Sequence, residues 1–276
     1  MTQPGSAIAF IGGGNMARSL IGGLVARGTA GSDLHVAEPN AELREALARD
    51  FGVQVHGDAD GAARAAPVWL FAVKPQVLRS VAQGLAPLAR ESRPLAISIA
   101  AGITSVQLER WLGGDAAVVR AMPNTPALLG AGATGLFANL RVSAERRNLA
   151  ESLLASAGLT AWIPDESAMD AVTALSGSGP AYVFLLAEAM QAAGQAQGLQ
   201  ADTARALALQ TIFGAARMLL ESGEPAPVLR QRVTSPGGTT QAAIEALEAG
   251  GFRDLLGRAI AQATERGRQL SAGNDA

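Results

Sequence analysis

"IAFIGGGNMARSLIGGL", residues 8–24, decides how the first half of the chain folds. A short apolar run enters three consecutive glycines, and a helix-forming stretch follows at once. The pattern Gly12-x-Gly14-x-x-Ala17 directly after a strand is a dinucleotide-binding turn. Gly12 makes the tight turn, and Gly14 lets the backbone approach a pyrophosphate. Ala17 permits close packing of helix on strand. The helix start offers bare N–H donors and the positive end of its dipole to the phosphates.

Working outward, apolar strand-like runs recur at 34–37 (LHVA), 53–56 (VQVH), 68–73 (VWLFAV), 95–100 (LAISIA) and 117–122 (AVVRAM). Helix-like segments lie between most of them, at 15–28, 40–51, 75–89 and 105–112. Two further short strands are expected at 133–138 and 160–164, flanking a helix over 144–158. This alternation predicts a doubly wound, Rossmann-type α/β domain, a parallel sheet with helices on both faces. After Pro164 the strands stop, and the segments at 181–198, 201–223 and 251–270 are helical in composition and period. The expected division is a nucleotide-binding domain over 1–164 and an all-α domain over 165–276.

Composition narrows the function classes. Of 276 residues, 49% are hydrophobic and 17% charged, below the roughly 25% charged of an ordinary globular domain. Charge is thus short for covering a free surface. The helix around 181–190 is apolar on nearly every side except Glu188, more than a small helical domain can bury alone. A second copy of the chain is the expected cover. A net charge of −2 gives no footprint for nucleic acid or an anionic membrane. There is no cysteine for a disulfide, a thiolate nucleophile or a thiolate-bound metal. No signal peptide is read at the start, and no apolar run approaches the roughly 18 residues of a membrane span, so a cytoplasmic location is expected. No His-rich or H-E-x-x-H spacing supports a metal site. Lys74 is the single lysine among 22 basic residues, so it is either a chemical requirement or chance.

Open α/β sheets bind ligands beyond the carboxyl ends of their strands. Four strand ends carry candidates. Glu38 stands where an acidic residue bonds the ribose 2′-hydroxyl, and its charge would repel the 2′-phosphate of NADPH. Asn40 and Arg44 could still accept that phosphate, so the cofactor stays open between NADH and NADPH, with a lean toward NADH. Ala72-Val73-Lys74-Pro75 brings a cation to the cleft mouth, with Pro75 ending its strand. Ala100-Ala101-Gly102 leaves room for a flat nicotinamide ring. Asn124 and Thr125 stand between two prolines. His35 and His56 read as structural.

One late stretch fits none of this: "RVTSPGGTTQAAIEAL", 232–247, where a proline, two glycines and several hydroxyls precede a helix. Ser235, Pro236, Gly237, Gly238, Thr239 and Thr240 read as a helix N-terminus built to hold an anion. Pro236 presets the turn and the two glycines offer bare backbone N–H groups.

Together these pieces resemble the pyrroline-5-carboxylate reductase family over essentially the whole chain. The resemblance rests on IGGGNMA (11–17), AVKPQ (72–76), SIAAGIT (98–104), RAMPNTP (120–126), DAVTALSGSGPAYVF (170–184) and VTSPGGTTQAAIEALE (233–248). It implies NAD(P)H-dependent reduction of a cyclic imine to L-proline, the last step of proline biosynthesis. It also implies a helical domain that intertwines in a homodimer, often assembled into a decamer. The candidate cofactor contacts are Gly12, Gly13, Gly14, Asn15, Met16, Ala17, Glu38, Asn40, Ala72, Val73, Lys74, Pro75, Ala100, Ala101, Gly102 and Asn124. Ser235, Gly237, Gly238, Thr239 and Thr240 are the candidate substrate contacts. Thr240 is the candidate catalytic residue, its hydroxyl directed at the ring nitrogen. By the family pattern the substrate pocket is shared between subunits, and the loop 176–182 lines it or the dimer seam. NADPH-preferring relatives tend to carry a small or polar residue at the place of Glu38, a departure that leaves the usual preference open here.

Two other readings compete. A β-hydroxyacid dehydrogenase has a similar two-domain plan but a catalytic lysine on the first helix of its second domain; SGSGPAYVFLLAEAM (176–190) has none. A non-enzymatic dinucleotide sensor would keep the glycine turn but has no use for Ser235–Thr240.

Overall fold

The computed structural model describes residues 7–273. In chain order the elements begin β1 (Ile8–Ile11), α1 (Asn15–Ala26), β2 (Leu34–Ala37), α2 (Ala41–Phe51), β3 (Gln54–His56), α3 (Ala59–Arg64) and β4 (Val68–Phe71). There follow α4 (Pro75–Ser92), β5 (Leu95–Ser98), α5 (Ser105–Trp111), β6 (Ala117–Met122), β7 (Gly132–Ala138), α6 (Ala144–Leu154) and β8 (Gly158–Trp162). The helices α7 (Met169–Val172), α8 (Gly179–Ala196), α9 (Ala201–Glu221), α10 (Ala226–Arg232), α11 (Thr239–Ala249) and α12 (Phe252–Gly273) complete the chain.

All eight expected runs form strands of one sheet, in the order β3-β2-β1-β4-β5-β6-β7-β8. Successive strand residues point to opposite faces, and the core divides accordingly. Ile8, Phe10, Leu70, Ile97 and Val119 pack with Leu20, Ile21, Leu47 and Leu153 on one face. Ala9, Ile11, Trp69, Phe71 and Val118 pack with Leu78, Leu85, Leu108 and Trp111 on the other. The Trp69 indole N–H in this second core donates to the carbonyls of Ala63 (3.0 Å) and Ala66 (2.9 Å).

The sheet departs from the all-parallel expectation at one place: β7 runs antiparallel to β6, Met122 opposite Gly135. The link between Met122 and Gly132 is too short for a right-handed crossover helix, which needs a dozen residues or more, so the chain doubles back. β8 then pairs parallel with β7 through α6. The helix α3 was not expected. Its only sequence signal is Asp58, whose side chain caps it by accepting from Gly61 N at 2.8 Å. Pro75 likewise opens α4 instead of closing a strand, at the helix position where its missing N–H costs nothing.

The chain forms two compact units: Met1–Ser178 together with Gln262–Ala276, and Gly179–Ala261. The expected break near 164 follows the last strand, whereas compactness carries the first unit on to Ser178. The reason is α7. Its Val172 side chain lies so close to β7 that a Cβ at Gly135 would fall 2.5 Å away, and Asp170 pairs with Arg120 of β6. The second unit is helical. Its α8 buries only Ala187 and leaves Val183, Phe184, Leu185 and Leu186 exposed, Phe184 at 61% and Leu185 at 66%. Among the described residues, no helix is long and apolar enough to cross a membrane.

Candidate active site

The ends of β1, β2, β4, β5 and β6 lie side by side at one edge of the sheet, because these strands are neighbours and parallel. That edge gathers Gly12–Ala17, Glu38, Asn40, Ala72–Pro75, Ala100–Gly102 and Asn124. Gly12 has φ +107°, a conformation that L side chains rarely adopt, and a Cβ there would sit 2.8 Å from the Ala72 carbonyl oxygen. Its N–H donates to Ala37 O at 2.9 Å, tying the turn to β2. Gly14 is exposed, and no atom lies within 4 Å of where its Cβ would be. No side chain caps α1. An open glycine over an uncapped helix start suits a pyrophosphate: the space is free and the first-turn N–H groups have no side-chain acceptor. Ala17 is fully buried beneath the turn.

Glu38 is buried and doubly held. Its Oε2 accepts from Gly13 N at 3.1 Å and its Oε1 from Asn40 N at 3.0 Å. Asn40 caps α2 by accepting from Leu43 N at 3.1 Å. Arg44 turns its Nη1 onto the carbonyl oxygens of Glu38 (2.7 Å) and Pro39 (2.8 Å). Lys74 is exposed and precedes α4. Ala101 is exposed between buried Ala100 and Gly102, a surface of small residues as the sequence suggests. Asn124 also has a structural task. Its Nδ2 donates to Ser176 O at 3.0 Å and its Oδ1 accepts from Ala133 N at 2.8 Å. The carboxamide fastens β7 and the 176–178 turn to the end of β6. At that turn the backbone is π-helical, with Ser178 N donating to Thr173 O at 2.8 Å, a distortion frequent at functional sites. His35 and His56 meet across β2 and β3 at 3.1 Å. Burial first, and the neighbouring His56 second, hold the His35 imidazole below its ordinary value of 6.5.

In the helical unit, the glycines of Ser235–Thr240 correct the expectation of bare N–H groups. Gly237 N donates to Gln241 Oε1 at 2.7 Å and Gly238 N to Ser235 O at 3.0 Å. The glycines shape the turn, Gly237 at φ +70°, and close it on itself. The donors left for an anion are those of the first turn of α11, starting at Thr239 and Thr240, since no side chain caps this helix.

A buried cluster escaped the sequence reading. Arg120, 4% exposed, reaches Asp170 at 3.2 Å and Glu166 at 3.4 Å. Glu166 also accepts from Ser105 N (2.6 Å) and Ser105 Oγ (2.5 Å) at the start of α5, just past the 100–102 loop. Ser271 of α12 donates to Asp170 at 3.3 Å, and its carbonyl accepts from Gln107 Nε2 at 2.9 Å. The available signal was Arg120 itself, a charge inside an otherwise apolar strand, which demands partners. The cluster fixes, from behind, both loops at the β5 and β6 ends.

A glycine turn over an uncapped helix at the edge of a doubly wound sheet defines the class, a nicotinamide-dinucleotide-dependent oxidoreductase. Comparison with known proteins sharpens this. The family model described as pyrroline-5-carboxylate reductase dimerisation matches residues 166–270, and one described as NADP oxidoreductase, coenzyme F420-dependent, matches residues 7–102. A pyrroline-5-carboxylate reductase from Pseudomonas aeruginosa is 49% identical over 264 residues, 96% of each chain. The structure of one from Coxiella burnetii superposes with a TM-score of 0.93 at 44% identity, covering 96% of this chain and 98% of that one. The Plasmodium falciparum enzyme, solved with NADP bound, gives 0.84 at 29% identity, covering 96% and 98%. The chain belongs to the pyrroline-5-carboxylate reductase family.

Proposed function

We infer that the chain reduces L-1-pyrroline-5-carboxylate to L-proline with NADPH or NADH, the closing step of proline biosynthesis. The observation that carries this reading is the uncapped start of α11 behind Gly237 and Gly238. Many reductases share the dinucleotide turn; this second anion-holding turn suits a substrate that is itself a carboxylate.

The residues divide the work as follows. Gly12–Ala17 hold the pyrophosphate at the start of α1. Small side chains at Ala100–Gly102 give a flat ring room to lie. The first-turn N–H groups of α11, from Thr239 onward, receive the substrate carboxylate, with Ser235, Gly237 and Gly238 shaping the turn. Thr240 directs its hydroxyl at the ring nitrogen. When bound, the reduced nicotinamide supplies the hydride. A protonated cyclic imine is already an electrophile, so the chain needs to orient more than to acidify. This agrees with a site that offers neither a histidine nor a carboxylic acid at Ser235–Thr240.

The apolar side chains exposed on α8 and α9 support self-association. The proposed assembly is a homodimer, with a decamer as the higher form, and the proposed compartment is the cytoplasm. The test is cofactor oxidation at 340 nm with pyrroline-5-carboxylate and the reduced dinucleotide, beside cofactor reduction with 3-hydroxyisobutyrate and the oxidised dinucleotide as the control. Turnover of the imine alone supports the reading. Turnover of the hydroxyacid, or dinucleotide binding with no turnover of either, would replace it.

A further inference from the structure

We propose that Glu38 makes this chain an NADH-selective enzyme, by fixing a carboxylate in the floor of the glycine turn where the adenosine ribose 2′-oxygen arrives. The proposal rests on the reading that residues 12–17 bind a nicotinamide dinucleotide.

Glu38 is the first residue past β2, beside the strand that delivers Gly12. Two backbone donors hold its two oxygens, Gly13 N at 3.1 Å and Asn40 N at 3.0 Å. The residue is 9% exposed, and moving the charge aside would break both bonds. Gly13 permits this arrangement: a Cβ there would lie 3.2 Å from the Glu38 Cβ and 2.7 Å from Leu47 Cδ1. A carboxylate has about four lone-pair sites, so each oxygen can accept a further bond. A ribose hydroxyl is a donor and completes the set. A 2′-phosphate has only acceptors and negative charge, and meets a like charge that is locked in place.

The groups able to meet the phosphate are each held in part by other bonds. The Asn40 carboxamide oxygen caps α2, and Arg44 directs Nη1 at two carbonyl oxygens of its own turn. Arg18, on the helix that follows the glycines, pairs with Asp50 at 2.6 Å. The preference therefore opposes what the NADP-bound Plasmodium relative would suggest at 29% identity.

The test is a pair of fluorescence titrations, NADH and NADPH without imine, on the wild-type chain, Glu38→Gln and Glu38→Ser, followed by kcat/KM with each cofactor. Expected is wild-type binding of NADH at least about tenfold tighter than NADPH. Glu38→Gln keeps an oxygen for Gly13 N but loses the charge, and should shrink the ratio severalfold; Glu38→Ser should shrink it further. Equal or tighter binding of NADPH by the wild type would overturn the proposal, as would an unchanged ratio in both variants. The titrations need no imine. Tight NADPH binding with normal imine turnover sinks the role of Glu38 alone, whereas NADH selection without imine turnover leaves it standing and defeats the functional reading.

Discussion

Gly12 and Thr240 carry the proposed site at the scale of single residues, and the two differ in how far sequence exposes them. Gly12 is legible because a positive φ and a carbonyl 2.8 Å from any Cβ leave no alternative to glycine, and only a tight turn asks for that. Thr240 is legible only through its neighbours, since a threonine in a first helical turn is common. Its role rests on the turn before it and on family membership. Thr240→Ala should lower kcat on the order of a hundredfold, the scale of misplacing a substrate whose ring nitrogen has lost its positioning hydrogen bond. Cofactor affinity should stay near wild type. Steady-state kinetics beside a nucleotide titration checks both, and an unchanged kcat would remove Thr240 from the chemistry. Asn124 shows the limit of motif reading. The residue stands in the expected loop, yet its side chain is engaged on Ser176 and Ala133, which no spacing along the chain reveals.

Elements were legible where periodicity had room to act. The eight strands and the long helices were readable from apolar runs and the 3.6-residue period, whereas six-residue α3 is too short to display one. The reversal of β7 follows from link length, which the sequence contained but the expectation of a parallel sheet overrode. The Arg120 cluster joins β6, α5, α7 and the end of α12 over long separations, so nothing local announced it. Arg120→Met should strand the buried Asp170 and leave the half-buried Glu166 without its cation, destabilising the nucleotide unit by about 3–5 kcal/mol, the cost of breaking one side of a buried pair. Chemical denaturation reads this directly. The β2–β3 contact makes a second prediction. The folded chain holds His35 below 6.5, so the unfolded chain binds the proton more readily. That stability is present above about pH 6.5 and lost as pH falls through the lowered folded value. Melting temperature should therefore drop on acidification below that pH, and His35→Gln should flatten the drop; identical profiles would contradict it.

The whole molecule carries more apolar surface than one copy can cover. Phe184, Leu185, Leu207, Phe213 and Leu220 are all exposed, Leu220 at 83%. Patches of this extent mark an interface. Composition hinted at this through the low charge, and the apolar helix at 181–190 located it. The number of copies was beyond reach, because self-association depends on surface complementarity that a pattern of residue types does not encode. Light scattering should find an oligomer, and Leu185→Glu should shift it toward monomer by placing a charge in an apolar contact. A wild-type monomer would contradict the reading of α8.

In the proposed reaction a hydride passes from the nicotinamide to the imine carbon of a carboxylate-bearing ring. Its most direct measurement is the fate of that hydride. The chain is given pyrroline-5-carboxylate and a reduced cofactor deuterated at the transferred position, and the product is read by mass spectrometry and NMR. The expected product is L-proline carrying one deuterium at carbon 5, the former imine carbon. Unlabelled proline, label at another carbon, or no proline at all would contradict it.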